Sequence, residues 1–386
     1  CAKGRPMVNL LPLDANETIT AILPVIDAPK KFKDRLADFQ AFVKANAAKL
    51  QENEIINSHF AELEAALAEL EDGADDLSDA LRTQLKQLGL ELSTTDLDDE
   101  IIADFAQQAE AVRKNFYVFM ATEYGTIKRV ELEQFSNVRS NGLRAIELNG
   151  DDTLIGVAIT DGEQQIMLFS NEGKAIRFAE TDVRSMGRSA KGVRGMRVTI
   201  GAAAQLEDAE TDVDSDDEDT SDSALISRIV SLVVVPETGE VLCACANGYG
   251  KRTPVGEFPT KKRGGKGVIA IKTSERNGEL VGAVSIDESK ELMLISDGGT
   301  MVRTRASEVA TTGRNAQGVR LIRLGNEEVL VGVVSVEAVE EEEFVEAVEG
   351  EEVIASEALI DSETLVDDET IADEPESESD LRDSED

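Results

Sequence analysis

Two periodicities divide the chain. Between residues 32 and 112 apolar side chains return every three or four positions, as Phe32, Leu36, Phe39, Val43, then Phe60, Leu63, Leu67, Leu70, then Leu77, Leu81, Leu85, Leu88, then Ile101, Phe105, Val112. One face of an α-helix recurs every 3.6 residues, so this spacing predicts amphipathic helices packed as a hairpin or small bundle. Gly73 marks a break, and the Ser93-Thr-Thr-Asp96 stretch a new helix start. Elsewhere the apolar runs are short and cut by glycine. Segments 118–129, 166–177, 242–252 and 292–303 share one order: an apolar run, a turn containing Gly125, Gly173, Gly250 or Gly299, then apolar and basic residues. Each reads as a tight β-hairpin, because glycine supplies the positive φ that such turns require.

A second unit follows every hairpin: Arg139-Ser-Asn-Gly142-Leu143, Arg188-Ser-Ala-Lys-Gly192-Val193, Arg263-Gly-Gly-Lys-Gly267-Val268 and Arg314-Asn-Ala-Gln-Gly318-Val319. A closing strand recurs as Leu154-Ile-Gly-Val157, Leu280-Val-Gly-Ala283 and Leu330-Val-Gly-Val333. Gly142 and Gly192 are 50 residues apart and Gly267 and Gly318 are 51 apart, whereas Gly192 and Gly267 are 75 apart, the excess matching segment 201–226. Gly4 fits the same loop, 138 residues before Gly142, which is one repeat plus the 88 residues of 28–115. A repeat of this length, holding about four short strands, is the signature of an all-β propeller-like ring whose blades complete one another's core; a sandwich with accidental similarity is the alternative. The expected organisation is a ring from 1–27 and 116–336, with about five visible blades. A helical insertion occupies 28–115, a disordered acidic insertion 201–226 and a disordered acidic tail 337–386. The helical insertion reads either as a docking element or as a tolerated loop decoration.

Charge sharpens this division. The chain has 386 residues, with 39 basic and 78 acidic side chains, a formal net charge of -39. The tail carries 23 acids and one base, segment 201–226 ten acids and no base, and segment 28–115 a net charge of -9. The remaining ring is left at +2. Acid-rich segments with so little apolar surface cannot offset the entropy of ordering.

Several chemistries are excluded. No stretch approaches the roughly 20 apolar residues of a membrane span, and no signal peptide opens the chain, so it reads as soluble, cytoplasmic and without a membrane partner. Cys243 and Cys245 alternate onto one strand face with no second ligand pair for zinc, and read as buried thiols. His59, the only histidine, lies in a helical segment and supports neither a catalytic triad nor a metal site. No catalytic residue is assigned. The first residue is Cys1 and the opening falls inside a repeat, so a fragment lacking most of a first blade is expected.

The candidate chemistry is cationic. Arg139, Arg144, Arg188, Lys191, Arg194, Lys251, Arg252, Lys261, Lys262, Arg263, Lys266, Arg303, Arg314 and Arg320 lie in or beside the repeating units. In a ring the same loop of each blade falls on the same rim, which makes a curved positive band suited to a phosphate backbone. The loop glycines Gly4, Gly142, Gly192, Gly264, Gly265, Gly267 and Gly318 allow backbone amides to approach phosphates. Aromatic residues are only 4% of the chain, which disfavours single-strand stacking. Duplex binding through backbone contacts and bending is the expectation, and an ordinary solvated rim or a protein scaffold the alternatives.

At these residues a family resemblance emerges. Arg5-Pro-Met-Val-Asn-Leu-Leu-Pro12, Phe119-Met-Ala-Thr, Gly173-Lys174-Ala-Ile-Arg177-Phe178, Gly192-Val-Arg-Gly195, Asn247-Gly-Tyr-Gly-Lys-Arg-Thr253, Thr273-Ser-Glu-Arg-Asn-Gly278 and Gly313-Arg-Asn-Ala-Gln-Gly318 closely resemble the C-terminal domain of the DNA gyrase A subunit. The resemblance covers the ring and not the insertions or tail. It implies a β-pinwheel that wraps double-stranded DNA around its basic rim. It further implies support of ATP-driven negative supercoiling on the chromosome, in an A2B2 holoenzyme with the rest of the gyrase A subunit plus the gyrase B subunit. It also implies that this chain binds no cofactor, ATP and magnesium serving other parts of the holoenzyme, and that it cannot cut DNA alone, because the cleavage tyrosine belongs to another domain. The family's seven-residue box has its nearest match at Lys261-Lys-Arg-Gly-Gly-Lys-Gly267, read as a degenerate copy. The corresponding domain of topoisomerase IV is the alternative within the superfamily. The acidic tail is expected to compete with DNA for the rim. Removing 337–386 should therefore strengthen duplex binding at low salt, and binding unaltered by its removal, measured by titration, would refute the competition.

Overall fold

Short polar side chains open three of the four helices that the apolar periodicity predicts. The computed structural model describes residues 19–23, 30–70, 77–94, 99–137, 142–199, 227–325 and 327–338. Gly4, Gly73, Arg139, segment 201–226 and nearly all of the tail lie outside them. The helices are α1 (Phe32–Leu50), α2 (Glu54–Glu69), α3 (Asp79–Leu92) and α4 (Glu100–Arg113). Asn53 accepts the amides of Ile55 and Ile56, Ser78 that of Leu81, and Asp99 that of Ile101, each satisfying amides that have no partner within the helix. Because the last helix is capped at Asp99, its phase turns Ile102 inward and leaves Ile101 only partly buried. The bundle closes on its own core, where the rings of Phe39 and Phe105 stand 5.6 Å apart. Its base is fastened to the sheets by ions: Arg113, buried, pairs with Glu110 at 2.8 Å and Glu163 at 2.5 Å, while Lys114 reaches Asp161 at 3.1 Å.

The sheets follow from the repeat. Their strands are β1 (Tyr117–Thr122), β2 (Thr126–Glu131), β3 (Leu154–Thr160), β4 (Gln165–Ser170), β5 (Lys174–Ala179), β6 (Val193–Arg194), β7 (Ile229–Val235), β8 (Glu240–Cys245), β9 (Tyr249–Pro254), β10 (Val268–Ile269), β11 (Leu280–Ile286), β12 (Lys290–Ser296), β13 (Met301–Arg305), β14 (Val319–Arg320) and β15 (Leu330–Glu337). They form four antiparallel blades in the orders β3-β1-β2-β6, β7-β4-β5-β10, β11-β8-β9-β14 and β15-β12-β13. In the third hairpin the turn falls at Gly248 (φ 77°) and Gly250 lies in the ladder opposite Ala244.

The order of strands shows that each of the first three blades is made from two repeats. The Gly-apolar units at Gly192, Gly267 and Gly318 each supply the outermost strand of the blade before: Val193 pairs with Ile127, Val268 with Ala175 and Val319 with Gly250. Among the described residues the fourth blade has no such strand, and Met301 at its edge is exposed. The closing strands β3, β7, β11 and β15 pack in succession at the inner side. Hydrophobic cores lie between blades rather than within them. Phe119, Leu168 and Phe178 fill the first interface, Phe169, Cys243 and Phe258 the second, and Leu242, Leu292 and Leu294 the third.

The exchanged strand needs its glycine. Gly267 has φ 79°, and a Cβ there would stand 2.5 Å from the Ala175 carbonyl oxygen. Gly142 has the same left-handed backbone (φ 73°) with nothing near it. Gly267→Ala should therefore destabilise by about 3 kcal/mol, strain and collision together, and Gly142→Ala by about 1 kcal/mol, the left-handed penalty alone. Equal shifts of the chemical-denaturation midpoint in the two variants would contradict this account.

Candidate nucleic-acid interface

The exchanged strands sit in longer loops that seat on the blade before and bond to the loop after. Gly195 and Met196 donate their amides to the Gly125 carbonyl, Ala270 and Ile271 to that of Gly173, and Leu321 and Ile322 to that of Gly248, so each loop grips a hairpin turn of the preceding blade. Successive loops are joined as well. Gly264 donates to Gly195 O at 2.6 Å, Arg197 N to Gly265 O at 2.9 Å, and Lys272 N to Ala316 O at 3.1 Å. A side-chain rung repeats beside them: Arg263 donates to the Arg194 carbonyl at 3.0 Å, and Arg314 to that of Ile269 at 3.2 Å. The outer edge of the blades is thus one hydrogen-bonded band of backbone.

That band is free of acids. Segments 184–199, 259–273 and 310–324 hold five, five and three basic residues and no Asp or Glu. Lys191, Arg194, Arg197, Lys261, Lys262, Lys266, Arg320 and Arg323 are exposed along it. Arg188, Arg263 and Arg314 are half-buried, the last two with guanidinium donors already committed to neighbouring carbonyls. Arg144 is exposed beside Gly142, and Arg303 is exposed on β13, where it pairs with Glu291. Gly264 and Gly267 adopt φ of 88° and 79°, as the turn through Gly264-Gly265 demands.

Lys251 and Arg252 depart from the sequence expectation: both are buried and cannot meet a ligand at the rim. The Lys251 ammonium donates to the carbonyls of Gly313 at 2.5 Å and Arg314 at 2.8 Å, anchoring the next loop from beneath. Arg252 donates to the Val309 carbonyl at 2.7 Å and pairs with Glu240 at 2.8 Å. Blade one repeats the first arrangement, with Lys128 donating to the carbonyls of Ala145 and Arg188. Blade two repeats the second, with Arg177 donating to Val255 O at 3.0 Å. A signal for this was present in the repeat itself, because the position of Lys128 and Lys251 is held by Ile176 and Val302 in the other blades, which marks it as facing the core. Burial lowers the Lys251 pKa from 10.5 to about 8, the nearby Arg314 charge adding to the effect.

Residues that sequence reasoning passed over also reach the band. Tyr249 is the ladder partner of Arg320, and Arg276 lies over its ring. Cys243 and Cys245 are free, buried and pushed up to about 12 by burial. His59 stands 3.5 Å from Glu91 on the bundle. Among the described residues no group of three His, Cys, Asp or Glu side chains is placed to hold a metal, and no helix is long and apolar enough to cross a membrane.

Comparison with known proteins agrees with the repeat. The family described as the DNA gyrase C-terminal domain, beta-propeller, matches residues 117–161, 164–207, 239–287 and 290–337, one match per blade. The DNA gyrase A subunit of Pseudomonas aeruginosa is 42% identical over 338 residues, which are 87% of this chain and 29% of that protein. Its counterpart in Haemophilus influenzae is 46% identical over 236 residues, 60% of this chain and 27% of that protein. The chain thus spans under a third of the length of these relatives. A solved DNA gyrase A C-terminal domain superposes with a TM-score of 0.47 at 26% identity, covering 57% of this chain and 66% of that one.

The Lys251 anchor yields a pH dependence. Its folded pKa lies below the unfolded 10.5, so between about 8 and 10.5 the unfolded chain binds more protons and the site's contribution to stability grows as pH rises. Lys251→Met should remove that rise. It should also cost about 2 kcal/mol at neutral pH by leaving two buried carbonyls unpaired. Denaturation of both proteins at pH 7.5 and 10 measures this, and parallel pH dependence would refute the anchor's titration.

Proposed function

The chain belongs to the DNA gyrase C-terminal domain family, and on that premise we propose that its outer band binds duplex DNA and wraps it with a consistent hand. The observation that carries this reading is the acid-free run of exposed Lys and Arg along a continuous, hydrogen-bonded perimeter. Charges held on a rigid curved edge neutralise successive phosphates as a duplex bends over it, and the released counterions offset a bending cost of a few kcal/mol. The band offers many cations and few groups that read base edges, so binding depends weakly on sequence. Wrapping presents a DNA segment to the remainder of a type II topoisomerase. The chain thereby serves negative supercoiling as part of the gyrase A subunit, joined with the gyrase B subunit, in the cytoplasm on the chromosome. In this reading the chain holds no cofactor and does not cut DNA.

The buried anchors support the band without touching DNA. Lys128, Arg177 and Lys251 hold the three loops or their approaches from the preceding blade, so the exposed Arg194, Lys262, Lys266 and Arg320 keep their spacing when a bent duplex pulls against them. Replacing Arg194, Lys262 and Lys266 by Ala should lower affinity and flatten the log-log dependence on salt by about 0.9 for each phosphate no longer neutralised. An unchanged slope removes the rim from the interface. Ligation of a nicked circular plasmid in the presence of the chain tests the wrap: a linking-number shift of one sign is expected, and binding with no shift removes chirality from the reading.

A further inference from the structure

The loop from Thr273 to Gly278 is built far more firmly than a surface connection requires. Asn277 is fully buried. Its Oδ1 accepts from the Ser274 amide at 2.8 Å and hydroxyl at 3.0 Å, and its Nδ2 donates to the carbonyls of Lys272 at 3.0 Å and Gln317 at 3.1 Å. Asn247, in the hairpin turn beside it, donates to the carbonyls of Glu275 at 3.0 Å and Arg276 at 3.2 Å. This knot presents two exposed side chains, Glu275 and Arg276, and the Arg276 guanidinium lies 4.7 Å from the centre of the Tyr249 ring. From the exchanged strand β14, Arg320 lies 5.4 Å from the same centre and donates to the Tyr249 hydroxyl at 2.9 Å. The hydrogen bonds from Arg320 and then Arg276 hold that hydroxyl below the ordinary tyrosine range.

One feature sets this cluster apart from the rest of the band. At the same ladder step the other exchanged strands place Arg194 beside Thr126 and Ile269 beside Lys174, so among the described residues only the third blade has an aromatic ring here. Like the band's exposed Arg194 and Lys262, and unlike Arg303, which pairs with Glu291, Arg276 and Arg320 form no ion pair with a carboxylate among the described residues. A guanidinium stacked on a ring loses little further freedom when it bonds a ligand, and its planar fork matches a phosphate.

We propose that Tyr249, Arg276 and Arg320 form a clamp for a backbone phosphate of the duplex at the β9–β14 edge of the third blade, a fixed point that sets the path of the DNA across the rim. The proposal rests on the duplex-binding reading. In it, Arg276 and Arg320 contact the phosphate, and Tyr249 is a positioning residue that orients both forks.

The test titrates the full chain with a fluorescent duplex of mixed sequence over a range of salt. Arg276→Ala should weaken binding about tenfold, the worth of a charge-assisted hydrogen bond, and lower the salt slope by about 0.9. Arg276→Lys should restore the slope but not the affinity, because it keeps the charge and loses the fork. Tyr249→Leu should weaken binding with the slope unchanged, and Tyr249→Phe should weaken it less. Both arginines are exposed, so the unfolding midpoints of their variants should equal that of the unaltered chain. Duplex binding by the unaltered chain together with wild-type affinity and slope in Arg276→Ala overturns the clamp alone, as does full recovery by Arg276→Lys. Failure of the unaltered chain to bind duplex overturns the functional reading itself.

Discussion

The blades depend on a two-residue strand that each of three successive repeats gives to the blade before it. Val193-Arg194, Val268-Ile269 and Val319-Arg320 each complete a sheet that their own repeat did not begin. A hairpin with one further strand leaves an edge of unpaired amides and carbonyls, and the exchange covers that edge with the neighbour's chain. It also fixes the neighbour, since the loop carrying the strand cannot leave without exposing both the ladder and the interblade core. Folding of one blade is thereby coupled to the next, as in other repeat arrays whose units cannot bury their faces alone.

The same exchange decides where the charge goes. A segment that closes the outer edge of a blade must run along the perimeter, where Met196, Ala270, Ile271 and Ile322 turn into the core and most of the basic side chains face water. This is why segments 184–199, 259–273 and 310–324 can carry thirteen cations and no acid. Directly beneath them, β-strand alternation turns Lys128 and Lys251 towards the next blade, where a charge is costly. They persist because each ammonium meets two carbonyls: Lys251 those of Gly313 and Arg314 in the overlying loop, and Lys128 that of Arg188 in the overlying loop and that of Ala145. Adjacent basic residues can take opposite tasks, as where Arg263 holds the band through the Arg194 carbonyl and Lys262 is exposed on its surface.

The helical bundle is a separate solution joined to the sheets at its base, by ion pairs at Asp161 and Glu163 and by the Phe32 amide on Glu133. Its core is closed by its own apolar faces, and it meets the sheets through Arg113, Lys114 and Lys86 on the turn at Asp161 and Glu163. Such a joint, ionic and partly buried, holds direction better than it adds stability. The family match leaves residues 28–115 uncovered while taking in one segment for each blade, in keeping with an element inserted into a loop whose ends the ring already holds.

Much of this was legible in the chain. The apolar period marked the helices, the recurrence of Gly142, Gly192, Gly267 and Gly318 marked the blades, and the clustering of Lys and Arg marked the band, because periodicity and local turn chemistry are properties of short segments. What the sequence could not show was which blade each Gly-apolar unit joins, since strand pairing between repeats is set by three-dimensional neighbours and not by adjacency in the chain. That pairing is what buries Lys251 and Arg252 while exposing Arg320, and what brings Arg276 to Tyr249 from 27 positions away. Side-chain type was written in the sequence; whether each charge faces water or a neighbouring carbonyl was decided only when the blades exchanged strands.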